Sequence, residues 1–586
     1  MNILEILKTH LSNTFLQLGY DQKFLVITFS NRPDLCDFQC NSCFALAKEY
    51  GVNPSQIAEK IIENSEELKK FFDINFFNGF INFVAKTNIL EQYANYLLDN
   101  ELVEKHKDTK KIIMDYGGAN VAKELHVGHL RSPLIGESLK RLHVLFGDSV
   151  TSDTHLGDWG LQMGLTIAQL EDDGYLGNYF NNGEKKIITL DTLNEAYPKA
   201  SLRKKSDNTF AKRAEDYTLF LQQKKQPYYD IWKEIRKISV AQIEKDYLKL
   251  NVKFDLFYGE STSSDSVPKI LDIFIKNNLC HNSCGALVVD VAKEGEHVPM
   301  PKNNPDDPNE EVRFHNPMPP AIIQKYNGGE LYVTTDLATI YDRSKENPDE
   351  IIYITDKRQA THFEQVFRCA RKANLLPITT KLTHIGFGTM NGADGKPFKT
   401  RDGGMIKLSE VINMLTEKAK EKLDKNNISY DEKLPLMIGV AAMKFGDMSN
   451  TVSKDYIFDL DKFASFEGKT GPYIQYTAVR INSLLEKSDK NFGKITINSS
   501  EEKNIIMSII KLTESFDICY KEKSLNSLCD AVYNLASAFS LFYNNTKVLS
   551  QTDDKLRNGY LSLCKLVYKA IALTLNVLAI DIPEKM

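Results

Sequence analysis

The stretch KIIMDYGGANVAKELHVGHLRSPLIGESLKRLHVLFG, residues 111–147, constrains this chain more than any other. A short apolar run ends in Asp115, a loop with paired glycines follows, and a long amphipathic pattern closes the segment. Strand, glycine loop and helix in that order open a nucleotide-binding α/β unit, because the loop delivers a ligand to the unpaired N–H groups at a helix head. DSVTSDTHL (148–156) reads as the next strand. His126 and His129 stand at i, i+3, which predicts one face of the helix beginning there, with Gly128 between them. Imidazole donors at such a place can stabilise charge growing on a transferring phosphoryl group. The missing side chain at Gly128 lets a flat base lie against the backbone. By spacing alone HxGH is a weak signal: two helical histidines are more often structural than catalytic, and no nearby carboxylate completes a zincin pattern.

The remainder of the chain supplies the context. At roughly 100–200 residues per domain, 586 residues suggest about three to five domains. A content of 42% hydrophobic and 26% charged residues excludes a disordered or collagen-like chain. The formal charge of −5 gives no global basic field, so a nucleic-acid partner must be held by local patches. The start lacks a basic segment leading into an apolar one, and no uninterrupted apolar run is long enough to cross a bilayer; a soluble, unsecreted protein is expected. Nine cysteines are too few for a disulfide scaffold, and their odd number argues for free thiols. Cys36, Cys40 and Cys43, with Cys280 and Cys284, offer a zinc reading. The first group has no histidine beside it, and its i, i+4, i+7 spacing fits one buried helical stripe, so core packing is expected and no protein-bound metal.

The periodicities predict an α/β chain in three parts. Residues 1–108 form an N-terminal α/β module: ILEILKTHL, NSCFALAKEYGV and PSQIAEKIIENSEELKKFF are helical, FLVITFS is strand-like, and FNGFINFV is a β-rich stretch after a turn. Residues 109–410 form a Rossmann-like parallel-sheet catalytic domain. Its stretch around 170–320 is charged and irregular and reads as insertions, with a Pro- and Asn-rich loop at 299–321; the α/β pattern returns with EIIYITD and KLTHIGFGTM. Residues 411–586 read as an all-α domain.

The segment ANVAKELHVGH (119–129) resembles the first signature of class I aminoacyl-tRNA synthetases in its arginyl-tRNA synthetase form, with HVGH standing where the class has HIGH. HLGDWGLQMG (155–164), GELYVTTDLATIYDR (329–343), YITDKRQATHFEQ (353–365), GTMNGADGKPFKTRDGGMIKL (388–408) and FEGKTGPYIQYTAVRI (466–481) follow in the family's order, and the chain ends in IPEKM much as members do. The resemblance implies an arginine–tRNA ligase. Arginine carboxylate attacks the α-phosphate of ATP, and the arginyl adenylate passes its acyl group to the terminal ribose of tRNA(Arg). ATP is a substrate, Mg²⁺ comes with the nucleotide, the setting is cytoplasmic without a membrane, and a monomer is the family default. The family also implies that activation needs bound tRNA.

Arginine's guanidinium is planar, always charged and carries five donors, so its receptor should offer carboxylates. Asp336, in the apolar-flanked VTTDLA, is the first choice, with Tyr332 as a phenolic contact; a helix N-cap is the structural alternative for Asp336. By motif position the family's amino-acid pocket carries over to Asp115, Asn120, Tyr332, Asp336 and Gln359, with Asp115 and Asn120 orienting the α-amino and carboxylate groups. His126, Gly128 and His129 match the ATP site. The second signature departs from KMSKS: it reads KPFKTR (396–401), with Thr400 at the second lysine position. Lys396, Lys399, Arg401 and, before the first signature, Lys123 remain alternative phosphate contacts. Tyr473, Tyr476 and Arg480 match the anticodon-contacting helix, where two aromatics and a cation make a stacking platform. Met586 matches a terminal residue reaching that site. The N-terminal module resembles the domain that meets the tRNA elbow, with Phe80 and Asn82 as contacts. Two rivals remain: a pantetheine- or NMN-type adenylyltransferase, which is far shorter, and a non-catalytic synthetase-like sensor of arginine or RNA.

Overall fold

The computed structural model describes residues 2–180, 186–296, 298–299, 314–315, 317–325, 331–392, 395–396 and 406–586. The N-terminal module opens with helix α1 (Ile3–Gln17), whose N-terminus is capped by the Asn2 side chain accepting the Glu5 N–H at 3.0 Å. Strands β1 (Ile27–Phe29) and β2 (Phe38–Cys40), helices α2 (Ser42–Tyr50) and α3 (Pro54–Glu63), and the hairpin β3 (Phe72–Phe77) and β4 (Phe80–Ala85) complete it. The sheet is antiparallel in the order β1-β2-β4-β3. The hairpin turns on Asn78 and Gly79, both at positive φ, the two-residue turn this dipeptide favours. Cys36, Cys40 and Cys43 are buried, but not as one helical stripe: they lie in a loop, at the end of β2 and in α2, because the chain changes from strand to helix between Cys40 and Ser42. Helix α4 (Thr87–Asp99) leads onward.

The next part contains β5 (Lys111–Asp115), α5 (Arg131–Leu145), β6 (Ser149–Asp153) and α6 (Leu161–Asp172), then an inserted block, then α7 (Tyr332–Ser344), β7 (Glu350–Asp356), α8 (Ala360–Lys372) and β8 (Lys381–Phe387). Its four strands are parallel in the order β8-β7-β5-β6. The register sets Tyr353 beside Asp115 and Asp115 beside Asp153, so acidic strand ends gather on the carboxyl edge, where open α/β sheets bind ligands. The inserted block is more regular than its charge suggested. Helices Leu190–Arg203, Asn208–Gln222 and Tyr228–Lys249 fill much of it. In the second of these Phe210, Ala214, Tyr217 and Leu221 form a buried stripe, while the charged residues occupy the solvent side. Strands His281–Ser283, Ala286–Val289 and Ala321–Gln324 make a small antiparallel sheet.

A short strand β9 (Met390–Asn391) precedes α9 (Leu408–Lys425) and α10 (Leu434–Met448); β10 (Tyr456–Ile457) pairs in parallel with β9. The expected limit at 410/411 falls inside α9. The C-terminal helices are α11 (Gly471–Glu486), α12 (Ser500–Glu522), α13 (Asn526–Asn545) and α14 (Asp554–Val577). Helix α14 is long and apolar enough to cross a membrane by length and composition, one window of it reaching a mean hydropathy of 1.3, although Lys565 and Lys569 interrupt its apolar run. It packs against α4, α5, α11, α12 and α13 and buries 67% of its apolar window, so the apolar residues are spent on the protein's own core.

Candidate active site

The first signature does not begin an α-helix. His126 is the N-cap of a single 3₁₀ turn, Val127–His129, and α5 starts only at Arg131. The turn is closed by the imidazoles themselves: the Gly128 N–H donates to His126 Nδ1 at 3.1 Å, and the His126 N–H donates to His129 Nδ1 at 3.2 Å. What makes the turn 3₁₀ is its backbone: the His129 N–H donates to the His126 carbonyl at 2.8 Å and the Leu130 N–H to the Val127 carbonyl at 3.1 Å, while the imidazoles cap its first N–H groups. The rings lie 3.8 Å apart, centroid to centroid. With both Nδ1 atoms accepting, a neutral ring carries its proton on Nε2. Burial, with Lys123 nearby, pushes His126 down to about 4. Burial, then His126 and Lys123, pushes His129 down to about 3. At neutral pH the pair therefore offers two uncharged Nε2–H donors. Gly128 is required by this geometry as well as by ligand access, since a Cβ there would meet His126 Cε1 at 2.9 Å.

The second-signature segment is tied to the first. The Val127 N–H donates to the Ile406 carbonyl at 2.9 Å, and the Leu408 N–H to the Leu125 carbonyl at 2.8 Å, with His126 and Lys407 bridged between them. Lys407 also pairs with Glu124 at 2.5 Å. Lys396 is exposed beyond β9, whereas Lys399 and Arg401 lie outside the described residues. Lys123 is half-buried beside the two histidines.

The residues expected at the amino-acid pocket are placed as follows. Asp336 is the fifth residue of α7, not its N-cap; Leu331 holds the cap position without a side-chain bond. Asp336 Oδ2 meets His362 Nε2 at 2.6 Å. Tyr332, at the head of α7, lines a cavity of about 220 Å³ with Trp159, Glu260 and Thr335. Burial pushes the Glu260 carboxyl up to about 7; Asp158 and Asp336 add to the rise, while His155 and the Trp159 N–H oppose it. A planar cation there would meet the Glu260 carboxylate and the Tyr332 phenol, in a cavity that Lys325 also lines, and would hold Glu260 ionised. Asn120 is half-buried in a loop bridged to Gly157, where a Cβ would fall 2.2 Å from Asn120 Oδ1. Asp115 is buried, and its Oδ2 pairs with Arg343 at 2.7 Å; the same guanidinium pairs with Asp153 at 2.7 Å. Gln359 is exposed in the short turn before α8. Glu260, His155, His362 and Arg343 escaped the sequence reading as site residues. Three of them stand inside quoted motifs, and only Glu260, in YGEST, carried no signal. Among the described residues no three His, Cys, Asp or Glu side chains converge as a metal site.

Residues 1–85 match the arginyl tRNA synthetase N terminal domain, residues 92–460 the catalytic domain of class I (R) tRNA synthetases, and residues 474–586 the DALR anticodon binding domain. The chain is 41% identical over 619 aligned residues to the arginine–tRNA ligase of Agathobacter rectalis, and 41% over 606 to that of Alkaliphilus oremlandii, with 100% of each chain covered. Its fold superposes on the crystal structure of Plasmodium falciparum arginyl-tRNA synthetase with a TM-score of 0.80 at 26% identity, covering 100% of this chain and 99% of the other. The chain belongs to the arginyl-tRNA synthetase family.

It is thus a class I aminoacyl-tRNA ligase, with ATP as a substrate. In the region matching the anticodon binding domain, α11 carries Tyr473, Tyr476 and Arg480. Tyr473 is half-buried, and its hydroxyl lies 3.1 Å from Ser540 Oγ. Tyr476 is exposed, and the Arg480 guanidinium lies 3.9 Å from the centre of the Tyr543 ring while donating to Asn544 Oδ1 at 3.2 Å. Met586 packs on Ala419, Leu423, Leu434 and Ile438 together with Phe466. In the N-terminal module Phe80 and Asn82 line a cavity of about 460 Å³ with Arg32, Asn75 and the exposed Phe77. Asn82 accepts from Gln39 Nε2 at 3.0 Å and donates to Asn75 Oδ1 at 3.1 Å.

Proposed function

We propose that the chain activates L-arginine with ATP and transfers it to tRNA(Arg), with the labour divided among its own residues as follows. Asp336, Glu260 and Tyr332 receive the guanidinium. Asn120 and Asp115 orient the α-amino and carboxylate groups, and Gln359 approaches from the turn before α8. His126 and His129 donate from Nε2 to the phosphates as charge grows on the oxygens of the α-phosphoryl group, and Gly128 leaves room for the base. Lys123, Lys396, Lys399 and Arg401 are the cations available to the departing pyrophosphate. The arginine carboxylate oxygen bonds to the α-phosphorus as the bond to pyrophosphate breaks; the terminal ribose hydroxyl then takes the acyl group and AMP leaves. No side-chain nucleophile is needed, so the protein contributes positioning and fixed dipoles. Mg²⁺ enters with the nucleotide and would neutralise phosphate charge there.

Residues 1–108 meet the tRNA elbow through Phe80 and Asn82, residues 109–410 hold the chemistry, and residues 411–586 stack anticodon bases on Tyr473, Tyr476 and Arg480, with Met586 at the edge of that face. The chain acts as a cytoplasmic monomer. The observation that carries the reading is the pair of neutral histidines closed into one turn, in a chain that also presents a cavity lined by Glu260 and Tyr332. The test is a charging assay with ATP and tRNA(Arg). Arginine-dependent acylation with release of AMP and pyrophosphate supports the reading; charging by another amino acid, or adenylylation of a small acceptor, overturns it.

A further inference from the structure

Two aspartates lie side by side on the carboxyl edge of the parallel sheet: Asp115 ends β5, Asp153 ends β6, and the two are register partners. Both are buried, and like charges so placed disfavour each other's ionised form. Arg343 of α7, itself buried, reaches both. Its Nη1 lies 2.7 Å from Asp115 Oδ2, and its Nη2 donates to Asp153 Oδ2 at 2.7 Å. Tyr353, the register partner of Asp115 on β7, presents its ring to the same guanidinium, 5.3 Å from the ring centre. Arg343 follows Asp336 by seven residues, about two turns along one helix.

The charges of this cluster do not balance. One guanidinium serves two carboxylates, and among the described residues neither carboxylate pairs with a second cation. Asp153 is the more enclosed of the two: its side chain is 2% exposed against 9% for Asp115, and its Oδ1 accepts the Tyr258 N–H at 3.0 Å. We infer that Arg343 is a positioning residue for the α-amino end of the amino acid: it holds Asp115 against Asp153, so that the negative charge left over on Asp115 receives the substrate's α-ammonium. Burial raises the Asp115 carboxyl and Asp153 adds to the rise, while Arg343 and then His155 oppose it without cancelling it. That is the direction of a carboxylate still short of a cation. A buried ion pair is poor evidence of net stability, because desolvation offsets the attraction. What the planar fork adds is direction, since it addresses two carboxylates at fixed angles that an ammonium does not reproduce. Helix α7 thereby serves both ends of arginine, the guanidinium through Asp336 and the α-amino group through Arg343 and Asp115.

The inference rests on Asp115 receiving the α-ammonium, and the experiment separates the two. The probe is 5-guanidinopentanoate, which keeps the guanidinium and carboxylate of arginine but has hydrogen in place of the α-amino group. Arginine KM comes from charging kinetics, the probe's Ki from competition with arginine in the same assay, and thermal unfolding is measured beside them. Arg343→Lys keeps a charge but loses the fork. Arg343→Met with Asp153→Asn removes the guanidinium together with the carboxylate it would strand. Asp115→Asn removes the proposed receptor directly. For both Arg343 variants the arginine KM should rise about fivefold or more, with the probe's Ki within about twofold of the parent and the unfolding midpoint within a few degrees. If Asp115→Asn abolishes the preference for arginine over the probe while both Arg343 variants keep arginine KM within about twofold, the positioning role is overturned and Asp115 remains the receptor. If Asp115→Asn leaves that preference at the parent level, both fall. A parallel rise of arginine KM and probe Ki in the Arg343 variants, or failure of both to fold, marks the cluster as structural and overturns the inference.

Discussion

The histidine turn ahead of α5 and the outer face of α11 both gather rings and a cation within one short stretch, yet they are built in opposite ways. In the turn every Nδ1 is occupied by a backbone N–H, the rings are largely buried, and burial keeps both imidazoles neutral. On α11 Tyr476 is exposed, and Arg480 is held against Tyr543, a ring contributed by α13. Stabilising charge that develops on a phosphoryl group needs dipoles fixed before the reaction and shielded from water. Stacking on unpaired bases needs flat faces left open. The difference predicts that substitutions in the turn act on rate, whereas substitutions on α11 act on tRNA affinity.

The sharpest break would come from His129→Ala. Loss of one preorganised donor should slow arginine-dependent charging by about 10²–10³ with little change in arginine KM. Normal turnover would put the turn in the same class as ordinary aromatic packing. Asp336→Asn comes next: it exchanges a charged acceptor for an amide that brings unwanted donors and disturbs the bond to His362. The kcat/KM for arginine should fall by at least about two orders of magnitude, in keeping with roughly 3 kcal/mol for a broken buried charge pair, while ATP KM stays near the parent. An unchanged arginine KM would make Asp336 a structural partner of His362.

On the other side of the comparison, Tyr473→Ala with Tyr476→Ala should raise the tRNA KM more than about tenfold, from two stacks of about 1–3 kcal/mol each. Because Tyr473 is half-buried and bonded to Ser540, thermal unfolding and binding across a salt series must accompany the kinetics. A sharply lower midpoint with intact tRNA affinity in the folded fraction would make α11 a core helix rather than a platform.

The smallest effect concerns Glu260. Its folded carboxyl is raised by burial from 4.5 to about 7, so between those values the fold holds a proton that the unfolded chain releases. Its contribution to stability is fully present below pH 4.5, declines as pH rises through the window and is flat above about 7. Guanidinium favours the ionised form, so arginine binding releases this proton below neutrality. Arginine KM should rise by up to about tenfold from pH 8 to pH 6, and Glu260→Gln should flatten that profile at a weaker overall affinity. A flat profile in the parent would remove Glu260 from the pocket's charge balance.

Much of the molecule was legible because its signals are local. The pattern from Ile112 through Leu145 dictates strand, loop and helix whatever else the chain does, and Asn78-Gly79 dictates its hairpin. The motifs around His126, Asp336 and Tyr476 carry the family in their residue types and order. What spacing could not supply was direction and partnership. HVGH at i, i+3 was compatible with an α-helix, and only the observed i→i+3 backbone bonds, from the His129 N–H to the His126 carbonyl and from the Leu130 N–H to the Val127 carbonyl, make it a 3₁₀ turn. Asp336 could have capped α7, and only the observed helix start sets it inside. The three cysteines fitted one stripe until β2 and α2 divided them. The apolar length of α14 is accounted for by its packing against five other helices. Glu260 carried no sequence signal, and the quoted motifs that contain Arg343 and Arg131 did not show their partners, because Asp115 and Asp447 are brought to them across more than a hundred residues. Sequence determined which chemistry the chain carries, since residue type and local periodicity suffice for that. The tertiary fold alone decided which carboxyl is raised, which imidazoles stay neutral and which arginines are buried against carboxylates, since burial and proximity set those energies.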